Sequence, residues 1–224
     1  MDAMLLLFLK NYNMKSHLII RKSCGIANSS VMIDNKIDFS NTEDLNIQNF
    51  LKQVYKHYGV KYMKFYKMDK LTKLGFISGE VLLKDVELSE KYPEDRVGIV
   101  LANASSSIDI DKSFQETIED KSNYFPSPAL FVYTLPNIMA GEIAIKNKFK
   151  GEDIVFIKKE FPFEFIYDYV YSLFENHKLD ACICGWVEAN AEDYKSFLYL
   201  VERKNMQDDS AINYPEFTVK NMVK

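Results

Sequence analysis

The sequence is short of several residue types that carry chemistry. It has 3 Cys, 3 His and only three Arg (Arg21, Arg96, Arg203) among its 28 basic residues. Cys24, Cys182 and Cys184 are odd in number and follow no framework spacing. They are expected to be reduced thiols in a cytoplasmic protein. His17, His57 and His177 are scattered, so no metal site is expected. So few arginines leave little scope for bidentate phosphate readout. Lys+Arg 28 against Asp+Glu 32 gives a net charge of -4. That excludes a general nucleic-acid binder, which needs concentrated positive charge. No phosphate loop and no Gly-x-Gly-x-x-Gly run is present, and no cofactor is expected. The longest early apolar run, Ala3 to Leu9, is too short to span a bilayer. Asp2 precedes it in place of a basic stretch and no small-residue cleavage site follows, so a signal peptide is not expected.

What is there is the composition of one folded domain: 47% hydrophobic and 27% charged over 224 residues. Residues 1–13 read as a loosely attached extension before Met14, residues 14–204 as the domain, and residues 205–224 as a polar tail. Strand-like segments start at His17–Ile20 and continue through Ser23–Ile26, with Gly25 as a bend. Residues 28–46 read as a loop. Helices are expected over Leu45–Tyr58, Asp69–Leu83 (with Asp69 as N-cap), Asp109–Asp120, Asn137–Lys148 and Phe163–Phe174. Between them, Val97–Leu101, Ile154–Ile157 and Ala181–Val187 are short apolar runs that read as strands buried on both faces. Tyr194–Val201 reads as a further strand. This alternation predicts an α/β sheet covered on both faces.

Local candidates for chemistry have plain alternatives. Cys182 and Cys184 lie two apart on a strand and share a face, as buried small residues do. Asp109 and Asp111 suit a helix start, where the dipole favours carboxylates. Ser105-Ser106-Ser107 follows a strand end, where α/β proteins place functional loops.

Three stretches together resemble one family. They are Met68–Gly75 (MDKLTKLG); Ser127-Pro128 through Thr134–Ile145 (TLPNIMAGEIAI); and Gly151 with Cys184–Glu188 (CGWVE). In order and spacing they resemble the N-terminal half of the β-ketoacyl synthases, members of the thiolase superfamily. The strand VGIVLAN is similar to the family strand before them. The resemblance covers most of the chain and is closest to the short synthase-like and chain-length-factor-like proteins of bacterial aryl polyene and flexirubin-type pigment clusters. It implies a thiolase-like fold: one N-terminal-type lobe with a mixed, mainly parallel sheet covered by helices on both faces.

The resemblance also locates two departures. The family's nucleophilic Cys falls at Glu160, whether counted from Gly151 or back from Gly185. A Glu cannot form a thioester by transacylation as a thiolate does. The family's second lobe, with its assisting His pair, has no counterpart here. The implied function is therefore a non-catalytic partner subunit of chain-length-factor type. It would support a full-length β-ketoacyl-carrier synthase in polyene or fatty-acid-type chain elongation. Expected partners are that synthase as a heterodimer, or a second copy of the chain, and an acyl carrier protein. By matching position, Leu130, Phe131, Tyr133, Thr134 and Phe161 are the candidates for acyl tunnel or interface, and Asn103, Ser105 and Ser106 for the loop beside the site. The family's strand before the nucleophile pairs across a twofold. Two alternatives stand beside this reading. Glu160 could act as acid or base on a malonyl thioester, or in a residual acyltransferase. Otherwise the chain could be a docking scaffold for acyl carrier protein through Lys64, Lys67, Lys70 and Lys73, although a solvated helix face suits these lysines better.

Overall fold

The computed structural model describes residues 17–41, 46–190, 193–204 and 213–223. The extension expected at residues 1–13 lies outside them, as does Leu45. The chain opens with β1 (Leu18–Ala27), β2 (Ser30–Ile33) and β3 (Lys36–Ser40). Residues 28–46 were expected to be a loop, and the two hairpin strands correct that. Asn28-Ser29 joins β1 to β2, and Asp34-Asn35 joins β2 to β3. Both residues of each pair have positive φ, 49° and 51°, then 49° and 62°. That is the twist two-residue hairpins need, and Asn and Asp tolerate it. Gly25 pairs regularly with Met32 and Phe197, so it is no bend; the register shift lies between Ile20 and Lys22.

The remaining elements follow the expected order. They are α1 (Ile47–His57), α2 (Lys70–Leu83), α3 (Leu88–Lys91), β4 (Val97–Asn103), α4 (Ile108–Glu116), α5 (Pro128–Phe131), α6 (Ile138–Asn147), β5 (Asp153–Ile157), α7 (Phe163–Glu175), β6 (Ala181–Asn190), β7 (Asp193–Arg203) and α8 (Val219–Met222). The Asp69 carboxylate caps α2, accepting from the Leu71 and Thr72 N–H groups.

The strands form one mixed sheet in the order β3-β2-β1-β7-β6-β4-β5. Five of the seven point the same way, yet only the β4–β5 and β4–β6 pairs are parallel. The β6–β7 hairpin stands between β1 and the parallel strands, so strand direction is mainly parallel while neighbour pairing is mainly antiparallel.

Alternation along the central strands sends side chains to two cores. Ile99, Leu101, Ile183 and Val187 meet α1, α2 and α6 on the first face. Val100, Ala102, Cys182, Cys184 and Trp186 meet α7 on the second face, with Ile166, Val170 and Phe174. Gly185 permits the close β6–β7 approach. Its φ is +154°, and a Cβ there would stand 2.1 Å from the Phe197 carbonyl oxygen.

Two expectations need correction. Ile154–Ile157 was read as a strand buried on both faces, but β5 is one of the sheet's two edges, β3 being the other, and its Asp153 and Ile157 are exposed. An apolar run does not distinguish a central strand from an edge strand. The stretch after residue 204 was read as a polar tail, but residues 213–223 return to the sheet. The Phe217 N–H donates to the Leu18 carbonyl at 2.9 Å, and Phe217 and Met222 are buried on the second face. Two isolated apolar anchors leave no period to read.

Candidate functional site

The C-terminal ends of β4, β5 and β6 converge at one end of the sheet. The Lys158 N–H, just past β5, donates to the Asn103 carbonyl at 2.8 Å. Glu188 on β6 accepts through Oε2 from the Ala104 N–H at 2.6 Å and the Ser105 N–H at 3.1 Å. Asn103 donates its Nδ2 to the Ser106 carbonyl at 3.3 Å, and Ser106 takes a left-handed φ of 51°. The predicted loop residues Asn103, Ser105 and Ser106 therefore do sit beside the segment carrying position 160.

Glu160 itself is exposed, ahead of α7, on an open cleft of about 480 Å³ lined by Lys158, Lys159, Phe161 and Phe163. Phe161 is buried, with its ring 4.5 Å from Phe163, 4.8 Å from Phe197 and 6.2 Å from Trp186. The three cysteines are not exposed as Glu160 is. All three are buried on β1 and β6, and burial pushes the Cys24 thiol up to about 12 and raises those of Cys182 and Cys184.

The other tunnel candidates are divided. Phe131 is 55% exposed, with its ring 5.5 Å from that of Phe114. Leu130 is half-buried. The Thr134 hydroxyl donates to the Phe131 carbonyl, and the Thr134 carbonyl accepts from Ser107 Oγ at 2.9 Å. Tyr133 turns into the first-face core, away from the Phe161 cluster on the second face. Burial, then the Glu142 carboxylate, pushes its hydroxyl up to about 12. Tyr133 and Phe161 thus lie on opposite faces of the sheet.

The lysine face is also engaged. Lys64 reaches the buried Glu142 at 2.5 Å, where the Tyr62 hydroxyl also donates. Lys70 pairs with Asp109 at 2.6 Å, and Lys73 is 4% exposed, leaving Lys67 exposed. The four-lysine patch expected from the sequence is therefore not a free docking face: a carboxylate on α6 and another on α4 draw in two of its members. Asp109 and Asp111 serve the start of α4, Asp111 accepting from Ser107 Oγ. No grouping of His, Cys, Asp and Glu among the described residues could hold a metal ion, and no single helix among them is long and apolar enough to cross a membrane.

The sequence reading missed one convergence. Trp186, Glu188, Lys159 and Lys195 line a second cleft of about 510 Å³ beside the first. The available signal was the placement of Trp186 and Glu188 two apart on a strand, hence on one face.

No protein-family model and no curated protein matches the sequence. Solved structures do match the fold. Over 89% of this chain and 64% of the other, it is similar to the ishigamide ketosynthase/chain length factor, at 15% identity and a TM-score of 0.64. Over 84% and 79% it is similar to a ketosynthase in complex with its chain length factor from Xenorhabdus doucetiae, at 12% identity and a TM-score of 0.52. Over 88% and 65% it is similar to a type II polyketide synthase acyl-carrier protein in complex with its ketosynthase, at 11% identity and a TM-score of 0.58. The chain has the thiolase-like fold shared by ketosynthases and chain length factors. It spans under two thirds of the ishigamide protein's length.

Proposed function

We propose that the chain is a non-catalytic partner subunit of chain-length-factor type, supporting a full-length β-ketoacyl-carrier synthase in polyene or fatty-acid-type chain elongation. The observation that carries this is the open edge of β5. An edge strand presents unpaired N–H and C=O groups that template pairing with another chain. Ile157 on this strand is 47% exposed and Phe165 just beyond it 39%. Exposed apolar surface of this kind beside an open edge suits a protein interface. The fold likeness to ketosynthase–chain length factor complexes supports the choice of partner, and the synthase would bring the acyl carrier protein to the complex.

Position 160 supports the non-catalytic half of the reading. The residue there is an exposed carboxylate, and every thiol is buried on a strand. Glu160 also stands exposed on an open cleft that does not exclude water, so the decarboxylase alternative gains nothing from the geometry. Co-expression with the synthase from the same gene neighbourhood tests the proposal. A co-eluting complex on size exclusion is expected, and separate elution would overturn it.

A further inference from the structure

We propose that the cleft over Gly25, on the second face of the sheet, binds a small uncharged aromatic compound, held between Met32 and the rings of Phe163 and Phe197. The cleft measures about 250 Å³ and lies across β2, β1 and β7, with β6 and β4 between it and the β5 edge. An apolar cavity of roughly 150 Å³ already holds benzene.

The floor of the cleft is a glycine that the fold does not require. Gly25 has an ordinary strand backbone and pairs in register with Met32 on β2 and Phe197 on β7. An added Cβ would meet the Met32 methyl at 3.2 Å, and its nearest backbone neighbour, the Ser196 carbonyl oxygen, at 3.6 Å. So the backbone leaves room here, unlike at Gly185. Glycine inside a strand weakens it, and it marks a bulge, a bend, or a place where a ligand or another backbone comes close. At Gly25 the regular register removes the bulge and the bend, and the open space removes the second backbone. Residues directly opposite on neighbouring strands share a face, so Met32 and Phe197 flank the glycine on its second-face side. Their strands lie roughly 4.8 Å to either side. The result is a trough with a backbone floor and two apolar banks.

The banks select the ligand. Phe163 and Phe197 are nearly parallel, at 10° and 6.4 Å, and Phe161 holds both edge-on at 4.5 and 4.8 Å. A bank fixed in this way loses little freedom when a ligand arrives. Met32 on the opposite bank is 38% exposed, and its flexible thioether can swing against a ring. Phe163 and Phe197 are half-buried and Val223 beside them is exposed, so the contacts needed are open to a ligand. No Asp, Glu, Lys, Arg or His lines the cleft. A charged ligand would lose water there without gaining a partner. Asn35, exposed, and Ser23 are polar groups of the lining and leave room for one neutral hydroxyl. An aromatic ring gains offset or edge contacts with Phe163 and Phe197 beyond simple burial.

Phenol is the probe, cyclohexanol its non-planar counterpart and benzoate its charged one. The readout is the methyl spectrum of protein labelled with ¹³C-methyl methionine, with the Met32 signal identified by Met32→Leu. Millimolar phenol should shift the Met32 methyl saturably and leave Met63, which is outside the lining, unmoved. Cyclohexanol should bind about threefold more weakly and benzoate about tenfold. Gly25→Val fills the floor and displaces only the tip of Met32, so it should abolish the phenol shift with the fold intact by circular dichroism. Phe163→Leu keeps an apolar bank without its ring. It should weaken phenol about threefold and leave cyclohexanol unchanged, and it carries the test should Gly25→Val not fold. The absence of a saturable Met32 shift, or equal affinity for the three probes, would overturn the proposal. So would undiminished phenol binding in folded Gly25→Val or in Phe163→Leu.

Discussion

Single residues set limits on this chain that neighbouring positions do not relax. Glu160 is exposed after the end of β5, and the three thiols are withdrawn into β1 and β6. Iodoacetamide should therefore leave the folded protein unmodified at pH 8 and label all three cysteines in urea, counted by intact mass. Labelling of the native chain at any cysteine would contradict the burial described. Two glycines make a sharper pair. At Gly185 a Cβ would meet the Phe197 carbonyl oxygen at 2.1 Å and the Leu198 Cα at 2.9 Å, both backbone. Gly185→Ala should cost about 3–5 kcal/mol, since a strand ladder cannot shift as a flexible side chain does. At Gly141, inside α6, the nearest neighbour of an added Cβ is Asp153 Oδ2 at 4.0 Å. Gly141→Ala should stabilise by about 0.5–1 kcal/mol through helix propensity. Urea denaturation of both variants distinguishes these opposite signs. The pair also shows the limit of the resemblance to a family motif: both glycines belong to matching stretches, yet only one is required by its surroundings.

The edge strand gathers the consequences at the scale of elements. β5 carries Asp153, whose carboxyl is pushed up to about 6 by burial and then by the neighbouring Glu152. Glu152 is itself tied to Tyr169, whose hydroxyl donates to it at 2.7 Å. A carboxyl raised above its unfolded value favours the folded state when protonated. That contribution is complete below about pH 4 and is lost as pH rises through about 6. Asp153 is exposed as a residue, so solvent screening reduces the effect to roughly 1 kcal/mol. Denaturation at pH 4 and pH 8 should show the parent chain losing about that much relative to Asp153→Asn. An unchanged difference would place the carboxyl in ordinary solvent. The hairpin strands β2 and β3 carry the opposite lesson. Ile37 and Phe39 alternate with polar residues, Val31-Met32-Ile33 is a β-prone run, and Asn28-Ser29 and Asp34-Asn35 punctuate them. This signal was present but was outweighed by the polar appearance of the stretch.

For the whole molecule the β5 edge of the sheet is the main feature. Ile157→Lys adds a charge to an exposed edge position, a device that discourages edge pairing. It should leave the chain's own unfolding within about 0.5 kcal/mol of the parent, as surface changes do. It should also abolish co-elution with the partner synthase on size exclusion. An undisturbed complex would move the interface away from β5. The lysine patch makes the complementary point. Lys64, Lys67, Lys70 and Lys73 look like one charged face in the sequence, but folding brings Glu142 and Asp109 to two of them and buries a third.

The sequence by itself determined the alternation of strand and helix, the Asp69 cap, the amphipathic α7 and the buried character of β4 and β6. Each of these rests on interactions within a few residues, which spacing and side-chain type report directly. It also placed Ser105 and Ser106 just past the end of β4, at the end of a buried strand where such sheets carry their loops. Only the tertiary structure decided that β5 is an edge, that Phe217 and Met222 anchor the end of the chain, and that Tyr133 and Phe161 go to opposite faces. It also decided that Trp186 and Glu188 share a cleft floor with Lys159 and Lys195. The reason is physical. Periodicity tells which way a side chain leaves its own element, but not what stands across from it. An edge, a cleft and an ion pair are all made by what stands across.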